Sequence, residues 1–481
     1  MSRGIEELLA AAVDERARSL DGLRPAAGAL ARTRSRVRRR RAVRHSVETG
    51  VGVAAVGVVG VALWWGGARP DAPLPPSGST APAPATPTPA PSPAPSSATR
   101  APTPAAAPGL PPALPAPDDL LARVGPGWTL TVYRSVPAGA DPLAAPTAHA
   151  VLAVAPDGTR YRLADLPAEL GVRVLHWRAG DESARVSWGP FATDDMTTGW
   201  LDLRTGDLVT DAPDLPRAPD LPGASYLADV GDSGELWLAG VDGDAWSLYV
   251  VPASGEPRAL GEVDGAVSVA SVSPDDSRVA WATAAAPGQA LVVVDVATGD
   301  RTQVPLDAPD GECSVLGWLD DASVLASCFD YTGDGPVVDW DPRLERIGVD
   351  DGSVARVQDI GVGDPFVPSF SHGAHTADGT VAFPAFTLTA DLGMASVCAN
   401  SVWSWGPDGL QEVRPTGDDV LGVGAAGDDV LVESTTGCMQ GAAPSTLTAH
   451  APGASGTATI LAPVPDDGAW STALVSWTPA D

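Results

Sequence analysis

The feature that most constrains the fold is a two-strand unit that recurs seven times between residues 150 and 464. Each unit starts with a run of Val, Leu or Trp, passes through a turn that ends in glycine, and continues as a second alternating strand. The Asp-Gly, Thr-Gly and Ser-Gly pairs in these turns supply the positive φ that tight hairpins need. The units occupy residues 150–167, 199–213, 247–263, 291–306, 345–361, 401–417 and 446–464. The repeat therefore predicts a series of β-hairpins.

The period of the repeat indicates how the hairpins assemble. The turn glycines are Gly158, Gly206, Gly255, Gly299, Gly352, Gly409 and Gly456, so the spacings are 48, 49, 44, 53, 57 and 47. One four-stranded blade of a β-propeller requires about this length. The sequence thus predicts an all-β propeller of seven blades, with six or eight also compatible. The strands at 128–134 and 469–478 have no local partner, and we expect them to pair and close the ring.

One stretch carries a family resemblance. Ser273-Pro274-Asp275-Asp276 is followed by Val279-Ala280-Trp281, by Val294-Asp295 and by Thr298-Gly299. This blade resembles a PD40 or TolB-type, WD40-like propeller repeat, and the other units match it more loosely. The whole chain is similar in layout to actinobacterial single-pass membrane proteins with such ectodomains. The resemblance implies a propeller scaffold, and a scaffold of this kind does not by itself determine a function.

A membrane anchor is predicted ahead of the propeller. Residues 49–67 contain no charged side chain, and nineteen residues at about 1.5 Å rise would cross nearly 30 Å as a helix. An arginine-rich stretch at 32–45 precedes them, and Trp64 and Trp65 lie near the other end. We place the transmembrane helix at 46–67, with the N-terminus cytoplasmic. A cleaved signal peptide and a buried core helix are the alternatives.

The remaining boundaries follow from composition. Residues 68–117 are predicted to be an extended extracytoplasmic linker, since residues 70–117 hold 18 prolines in 48 positions. Residues 1–45 are a cytoplasmic arm with an amphipathic helical pattern at 5–20, which would dock on a partner or act as a solubilising leader. The propeller is predicted at 118–481.

Charge is unevenly distributed over these segments. The formal net charge of -30 is the sum of +7 for residues 1–45, zero for 46–117 and -37 for 118–481. All 30 basic residues are arginine, and the chain contains no lysine. An acidic propeller is excluded as a nucleic-acid binder, because phosphate contacts need clustered positive charge. The arginine arm remains free to contact anionic lipid.

All four cysteines lie on the exported side of the predicted membrane span. Two disulfides are expected there, with Cys313–Cys328 joining two strands of one blade and Cys398–Cys438 joining the last blades. A zinc site of four thiolates is the alternative, although no C-x-x-C spacing is present.

Two further site hypotheses concern cations. Asp330, Thr332, Asp334 and Asp341 lie in FDYTGDGPVVDWD and resemble a calcium loop, with an ordinary aspartate-rich hairpin as the alternative. His372 and His375 are spaced to ligate a metal but lie in a loop-like sequence. No cofactor other than calcium is expected. Several tryptophans fall in or beside strands and are expected to fill the spaces between blades, or else to form a stacking platform for sugar or peptide.

The function expected from these features is that of a non-enzymatic binding module on a single-pass anchor in the cell membrane. Its partner would be an extracytoplasmic protein, peptide or cell-wall glycan. The alternative is transmembrane signalling, in which the cytoplasmic arm contacts a sigma factor as an anti-sigma-like regulator. A third class, a hydrolase or lyase that uses acids of the central channel, lacks a recognisable nucleophile or metal set in the sequence.

Overall fold

The computed structural model describes residues 107–480 except for a set of loop segments. The excepted segments are 141–145, 191–195, 211–218, 220, 222, 241–245, 264–269, 284–288, 307, 309–310, 333–338, 362–363, 365, 369–372, 377–378, 387–397, 415–416, 437–444, 452–457 and 463–467. The predicted arm and membrane span lie outside the described residues. Within the described part, no helix is long and apolar enough to span a membrane.

Thirty strands and two short 3-10 helices, Leu121–Arg123 and Gly231–Ser233, make up the described secondary structure. The first strands are β1 (Leu114–Pro115), β2 (Thr129–Pro137), β3 (Ala148–Val154) and β4 (Arg160–Asp165). The next group is β5 (Leu170–His176), β6 (Ser183–Pro190), β7 (Thr197–Asp202) and β8 (Leu208–Val209). Then come β9 (Ser225–Asp229), β10 (Glu235–Gly240), β11 (Trp246–Val251) and β12 (Arg258–Val263). They are followed by β13 (Ser271–Val272), β14 (Arg278–Thr283), β15 (Ala290–Asp295) and β16 (Arg301–Pro305).

The second half of the chain continues the same grouping. It contains β17 (Glu312–Asp320), β18 (Ser323–Thr332), β19 (Asp339–Gly348) and β20 (Val354–Asp359). The fifth group is β21 (Val367–Pro368), β22 (Ala374–His375), β23 (Val381–Phe386), β24 (Ser401–Gly406) and β25 (Gly409–Arg414). The last strands are β26 (Asp419–Ala426), β27 (Asp429–Thr435), β28 (Ser445–His450), β29 (Ala458–Ala462) and β30 (Trp470–Pro479).

These strands form seven sheets, and each sheet is one blade of a propeller. Blades one to six follow the chain, from β5–β8 to β26–β29, and their strands are antiparallel neighbours in sequence order, with β21 and β22 both beside β23. The seven predicted hairpins are the two outer strands of the seven blades. At their turns, Gly158 and Gly299 adopt φ values of 82° and 80°, which residues other than glycine rarely adopt. The prediction of an all-β, seven-bladed propeller is confirmed.

The ring closes through the two terminal strands, as the sequence predicted. The closing blade has the order β1-β4-β3-β2-β30, so the C-terminal strand pairs with a strand from the start of the propeller. The β2–β30 register runs from Thr129 opposite Pro479 to Pro137 opposite Trp470. Beyond the strand end, the Ala480 N–H donates to the Trp128 carbonyl over 2.9 Å. Because β2 and β30 come from opposite ends of the domain, these hydrogen bonds hold the seam of the ring.

Hydrophobic cores fill the spaces between six of the seven pairs of neighbouring blades in the described part of the chain. Strands of the closing and first blades share one cluster, and those of the closing and sixth blades share another. Blades two and three, three and four, four and five, and five and six each share a further cluster. The space between the first and second blades is built differently, from a buried ion pair and aromatic rings.

The propeller fold begins before the expected boundary at residue 118. Leu110 and Ala113 are 4% and 3% exposed and belong to the core between the closing and sixth blades. Leu114 and Pro115 form β1, which pairs with β4 in parallel. Residues 107–117 are therefore part of the fold rather than of a free linker. Proline lacks an N–H donor, but its carbonyl still accepts hydrogen bonds, and this is how the segment is held.

Candidate functional site: the strap on the closing blade

We call residues 107–117 the strap, because they cross the closing blade from its seam to its outer edge. Near the seam, the Ser135 hydroxyl of β2 donates to the Pro108 carbonyl over 2.7 Å. The Thr472 hydroxyl of β30 donates to the neighbouring Gly109 carbonyl. The strap thus takes one hydrogen bond from each of the two strands that close the ring.

Glycine is required at position 109. Its φ is +70°, and a Cβ there would lie 2.7 Å from the Cβ of Ser135 and 2.8 Å from the Cβ of Trp470. Real Cβ atoms do not approach side-chain carbons so closely, so any larger residue would displace the strap. The close approach brings the Gly109 backbone within reach of both seam strands.

At the outer edge, the strap adds a fifth strand to the blade. Leu114 is opposite Tyr161 and Pro115 is opposite Arg162, both in β4. The Arg160 guanidinium reaches back to the Pro112 carbonyl over 3.4 Å. Prolines in the strap then leave few N–H groups for a further strand to pair with, which protects this edge.

The chain passes around the blade from one inter-blade core to the other. Leu110 and Ala113 enter the core between the closing and sixth blades. After the strap, Leu120, Leu121 and Val124 enter the core between the closing and first blades. One continuous segment therefore packs against both faces of the closing blade.

A groove of about 470 Å³ lies beside the second half of the strap. Strap residues Ala113, Pro115 and Ala116 form one side, and β4 and a turn of the first blade form the other. Two arginines line it, and each already has a carboxylate partner: Arg162 with Asp165, and Arg204 with Glu182 at 2.6 Å. Close to this region, the rings of Trp128 and Tyr161 stack with their centroids 5.9 Å apart. The groove therefore combines an apolar wall with guanidinium groups that are already paired with carboxylates.

The space between the first and second blades holds a buried ion pair. Arg185 is fully buried, and its Nη2 lies 2.5 Å from Glu235 Oε2. The guanidinium carbon lies 4.7 Å and 5.0 Å from the ring centroids of Trp200 and Trp237, and Trp237 Nε1 donates to Glu235 Oε2 over 3.0 Å. Burial raises the pKa of Glu235. The cluster resembles an aromatic cage for a cation, and the cation is the chain's own arginine.

The predicted calcium loop is only partly described. Asp330 lies in β18 directly opposite Asp341 in β19, while Asp334 lies outside the described residues and nothing is described of the Thr332 side chain. Arg343 Nη1 lies 2.7 Å from Asp330 Oδ2, so one carboxylate oxygen is already used. Nothing is described of the Asp341 side chain either, so the calcium site of Asp330, Thr332, Asp334 and Asp341 stays a prediction.

The cysteines lie next to this charged cluster. Cys313 and Cys328 face each other across β17 and β18 and form a disulfide with their Cα atoms 4.1 Å apart. Cys398 is also disulfide-bonded, and Cys438 lies outside the described residues. Glu345 Oε2 lies 3.4 Å from Cys328 Sγ, which makes these three residues the one group of potential metal ligands within the described part. Disulfide sulfurs are not thiolates, so the group does not bind a metal in this form.

The histidines and tryptophans are placed as follows. His375 Nδ1 lies 2.8 Å from the Trp318 carbonyl, and His372 lies outside the described residues. Trp177, Trp237 and Trp318 are fully buried, so these three are core residues rather than parts of an exposed stacking platform.

Many aspartates of this acidic domain have a local structural role. The Thr298 N–H donates to Asp295 over 2.7 Å and the Ser353 N–H to Asp351 over 2.9 Å, each within a hairpin turn. Hydrogen bonds from these backbone N–H groups lower the pKa of both carboxyls. Turn formation thus explains part of the negative charge without invoking a ligand.

Comparisons with known proteins find similar solved structures at low sequence identity. Solved structures similar to this chain include TolB from Acinetobacter baumannii, with 13% identity over 65% of this chain and 67% of that chain and a TM-score of 0.35. The chain is a seven-bladed β-propeller similar to TolB proteins. A putative TolB from Agrobacterium tumefaciens has 16% identity over 57% of this chain and 94% of that chain, with a TM-score of 0.32.

A prolyl oligopeptidase is also among the similar structures. Prolyl oligopeptidase B from Galerina marginata has 9% identity and a TM-score of 0.42, and the match covers 68% of this chain but only 48% of that chain. No protein-family profile and no curated protein matches the sequence.

Proposed function

We propose that the chain is a membrane-anchored binding protein whose propeller lies outside the cell membrane and binds a protein or peptide ligand without catalysing a reaction. The observation that carries this proposal is the strap. The propeller holds an extended, proline-rich segment through carbonyl contacts, one short strand pairing and an apolar pocket. These are the elements with which protein domains recognise extended peptides.

The sequence ahead of the propeller supports the anchored topology. The uncharged run at 49–67 follows an arginine-rich segment, and the net charge of residues 118–481 is -37. Positive residues next to a membrane span favour the cytoplasmic side. The proline-rich residues up to 106 would then separate the propeller from the membrane surface.

A second candidate function is signal transduction through the cytoplasmic arm. Its support is the amphipathic pattern at residues 5–20, which would give a partner an apolar helix face. Deleting residues 2–25 tests it directly. Loss of a co-purifying sigma factor would support signalling, and an unchanged set of co-purifying proteins would count against it.

The binding function is tested by photo-crosslinking in intact cells. β7 and β19 are the third strands of their blades, and the third strands of all blades run in the same direction. Met196 precedes β7 and Asp351 follows β19, so these two residues lie on opposite faces of the ring. A photoreactive residue at each position, in separate full-length chains, should give an intermolecular adduct from one face and little from the other. Absence of any adduct from both positions, and from a third position at Arg162 beside the strap, would contradict a ligand-binding role.

A further inference from the structure

We propose that the strap occupies a peptide-acceptor site, and that the partner is a protein that offers an extended proline-rich segment of the same pattern. The inference deepens the proposed binding function, on which it rests, by naming the ligand class. In the structure, the chain's own residues 107–117 fill the site.

The polar part of the site recognises backbone rather than side chains. Ser135, Thr472 and Arg160 donate to the carbonyls of Pro108, Gly109 and Pro112. Every residue has a carbonyl, but a segment rich in proline has few N–H groups that would be left without partners. The donor set therefore fits proline-rich chains as a class.

The steric part of the site sets the pattern of the ligand. Position 109 admits only glycine, because a Cβ would meet Ser135 and Trp470. Positions 110 and 113 enter an apolar core and are nearly fully buried, so they require a leucine-sized and an alanine-sized side chain. Positions 108, 112 and 115 are exposed and accept prolines. The predicted recognition pattern is Gly-Leu-x-x-Ala, with proline favoured at the exposed positions that correspond to 108, 112 and 115.

Occupation in cis explains how such a site would be regulated. A segment tethered next to its site has an effective concentration that can reach the millimolar range, so a free peptide competes poorly. A partner must therefore be present at high local concentration, or the strap must first be pulled away. The strap is continuous with the proline-rich residues that lead towards the predicted anchor, so tension on that linker acts on the strap first.

The test uses the full chain in detergent and a fluorescent synthetic peptide of residues 107–117. Leu110→Asp places a charge in an apolar core and should release the strap. The peptide keeps leucine at the position that corresponds to 110. Leu110→Asp should bind the peptide at least tenfold more tightly than the wild-type chain, as measured by fluorescence anisotropy. The matched control is Leu421→Asp, since Leu421 is 45% exposed and should leave the strap in place. A peptide with aspartate in place of the leucine at position 110 should not bind either chain.

The outcomes separate this proposal from the general one. If Leu110→Asp melts cooperatively with an unchanged circular dichroism spectrum and does not bind the peptide, the acceptor site is overturned. Gly109→Val, which displaces the strap by steric clash, is the second variant if Leu110→Asp does not fold. If neither variant folds, the strap is an inseparable part of the core and the acceptor site is overturned. A dimer of wild-type chains that Leu110→Asp dissociates would assign the site to a second copy and overturn the partner assignment. Each of these results concerns the strap alone, whereas failure of the cellular crosslinking removes the binding function itself.

Discussion

The buried ion pair between the first and second blades gives the sharpest stability prediction. Arg185 and Glu235 have 0% and 3% exposed side chains, so water cannot compensate either charge if the other is removed. Arg185→Met leaves the Glu235 carboxylate buried, with the Trp237 N–H as its remaining hydrogen-bond donor among the described residues. We expect a loss of about 3–5 kcal/mol in the free energy of unfolding at pH 8, the range for breaking a buried pair.

The double variant Arg185→Met, Glu235→Leu removes both charges and keeps the volume. It should recover part of the loss, because a hydrophobic replacement of a buried pair is often neutral. The remaining deficit of about 1–3 kcal/mol is the cost of leaving the buried Trp237 N–H without its Glu235 acceptor. The exposed pair of Arg178 with Asp229 provides the matched control, since the Arg178 side chain is 47% exposed and Arg178→Met should cost less than about 1 kcal/mol.

The pH dependence gives an independent check of the same mechanism. Burial raises the pKa of Glu235 above 4.5, and loss of Arg185 raises it further. A carboxyl with a raised pKa in the folded state favours folding at low pH, and this contribution is lost as the pH rises through the unfolded value towards the folded one. The deficit of Arg185→Met should therefore shrink as the pH falls towards 4.

Urea unfolding of residues 107–481, followed by circular dichroism, measures these differences. A loss below about 1 kcal/mol for Arg185→Met at pH 8 would refute the reasoning, because it would mean that the pair is not desolvated. A double variant as unstable as the single one would refute it as well.

Three further predictions follow from other parts of the fold. Burial raises the pKa of Glu433 above 4.5, so the free energy of unfolding should fall as the pH rises through 4.5 towards the raised value. Glu433→Gln should flatten this fall in a pH series of melting temperatures. At pH 8 the variant should be more stable than the wild type by on the order of 1 kcal/mol. The double change Cys313→Ala, Cys328→Ala opens a loop of 15 residues and should cost about 3 kcal/mol, with mass mapping of the unmodified chain to verify the bond. Arg343 competes with a cation for Asp330, so millimolar calcium should leave the melting temperature unchanged; a rise that Asp334→Asn abolishes would restore the loop as a calcium site.

The outer hairpins and the seam were predictable because their signals are local. A turn glycine such as Gly158 lies between two alternating strands, and seven such units leave 128–134 and 469–478 without partners. Inner strands gave no comparable signal. β13 has only two residues, Ser271 and Val272, too few for an alternating pattern.

The strap and the buried ion pair could not be predicted, for different reasons. Composition predicts that a proline-rich segment forms no sheet ladder, yet Leu114 and Pro115 pair with β4. Composition also does not show that the hydroxyls of Ser135 and Thr472 donate to the carbonyls of this segment. Arg185 and Glu235 are 50 residues apart, one repeat of the propeller, and neither has a local pattern that distinguishes it from a surface charge. Both features depend on which blades become neighbours in three dimensions.

The measurement that tests the account most directly is the side of the membrane on which the propeller lies. The chain contains no lysine, so a single introduced lysine is its only side-chain amine. Asp408→Lys places it in the exposed turn before β25, and Asp21→Lys places it in the predicted cytoplasmic arm. With a membrane-impermeant amine reagent on intact cells, the account predicts labelling at position 408 and protection at position 21 until the membrane is opened. Protection at 408 with labelling at 21 would contradict the proposed topology and, with it, an extracytoplasmic ligand.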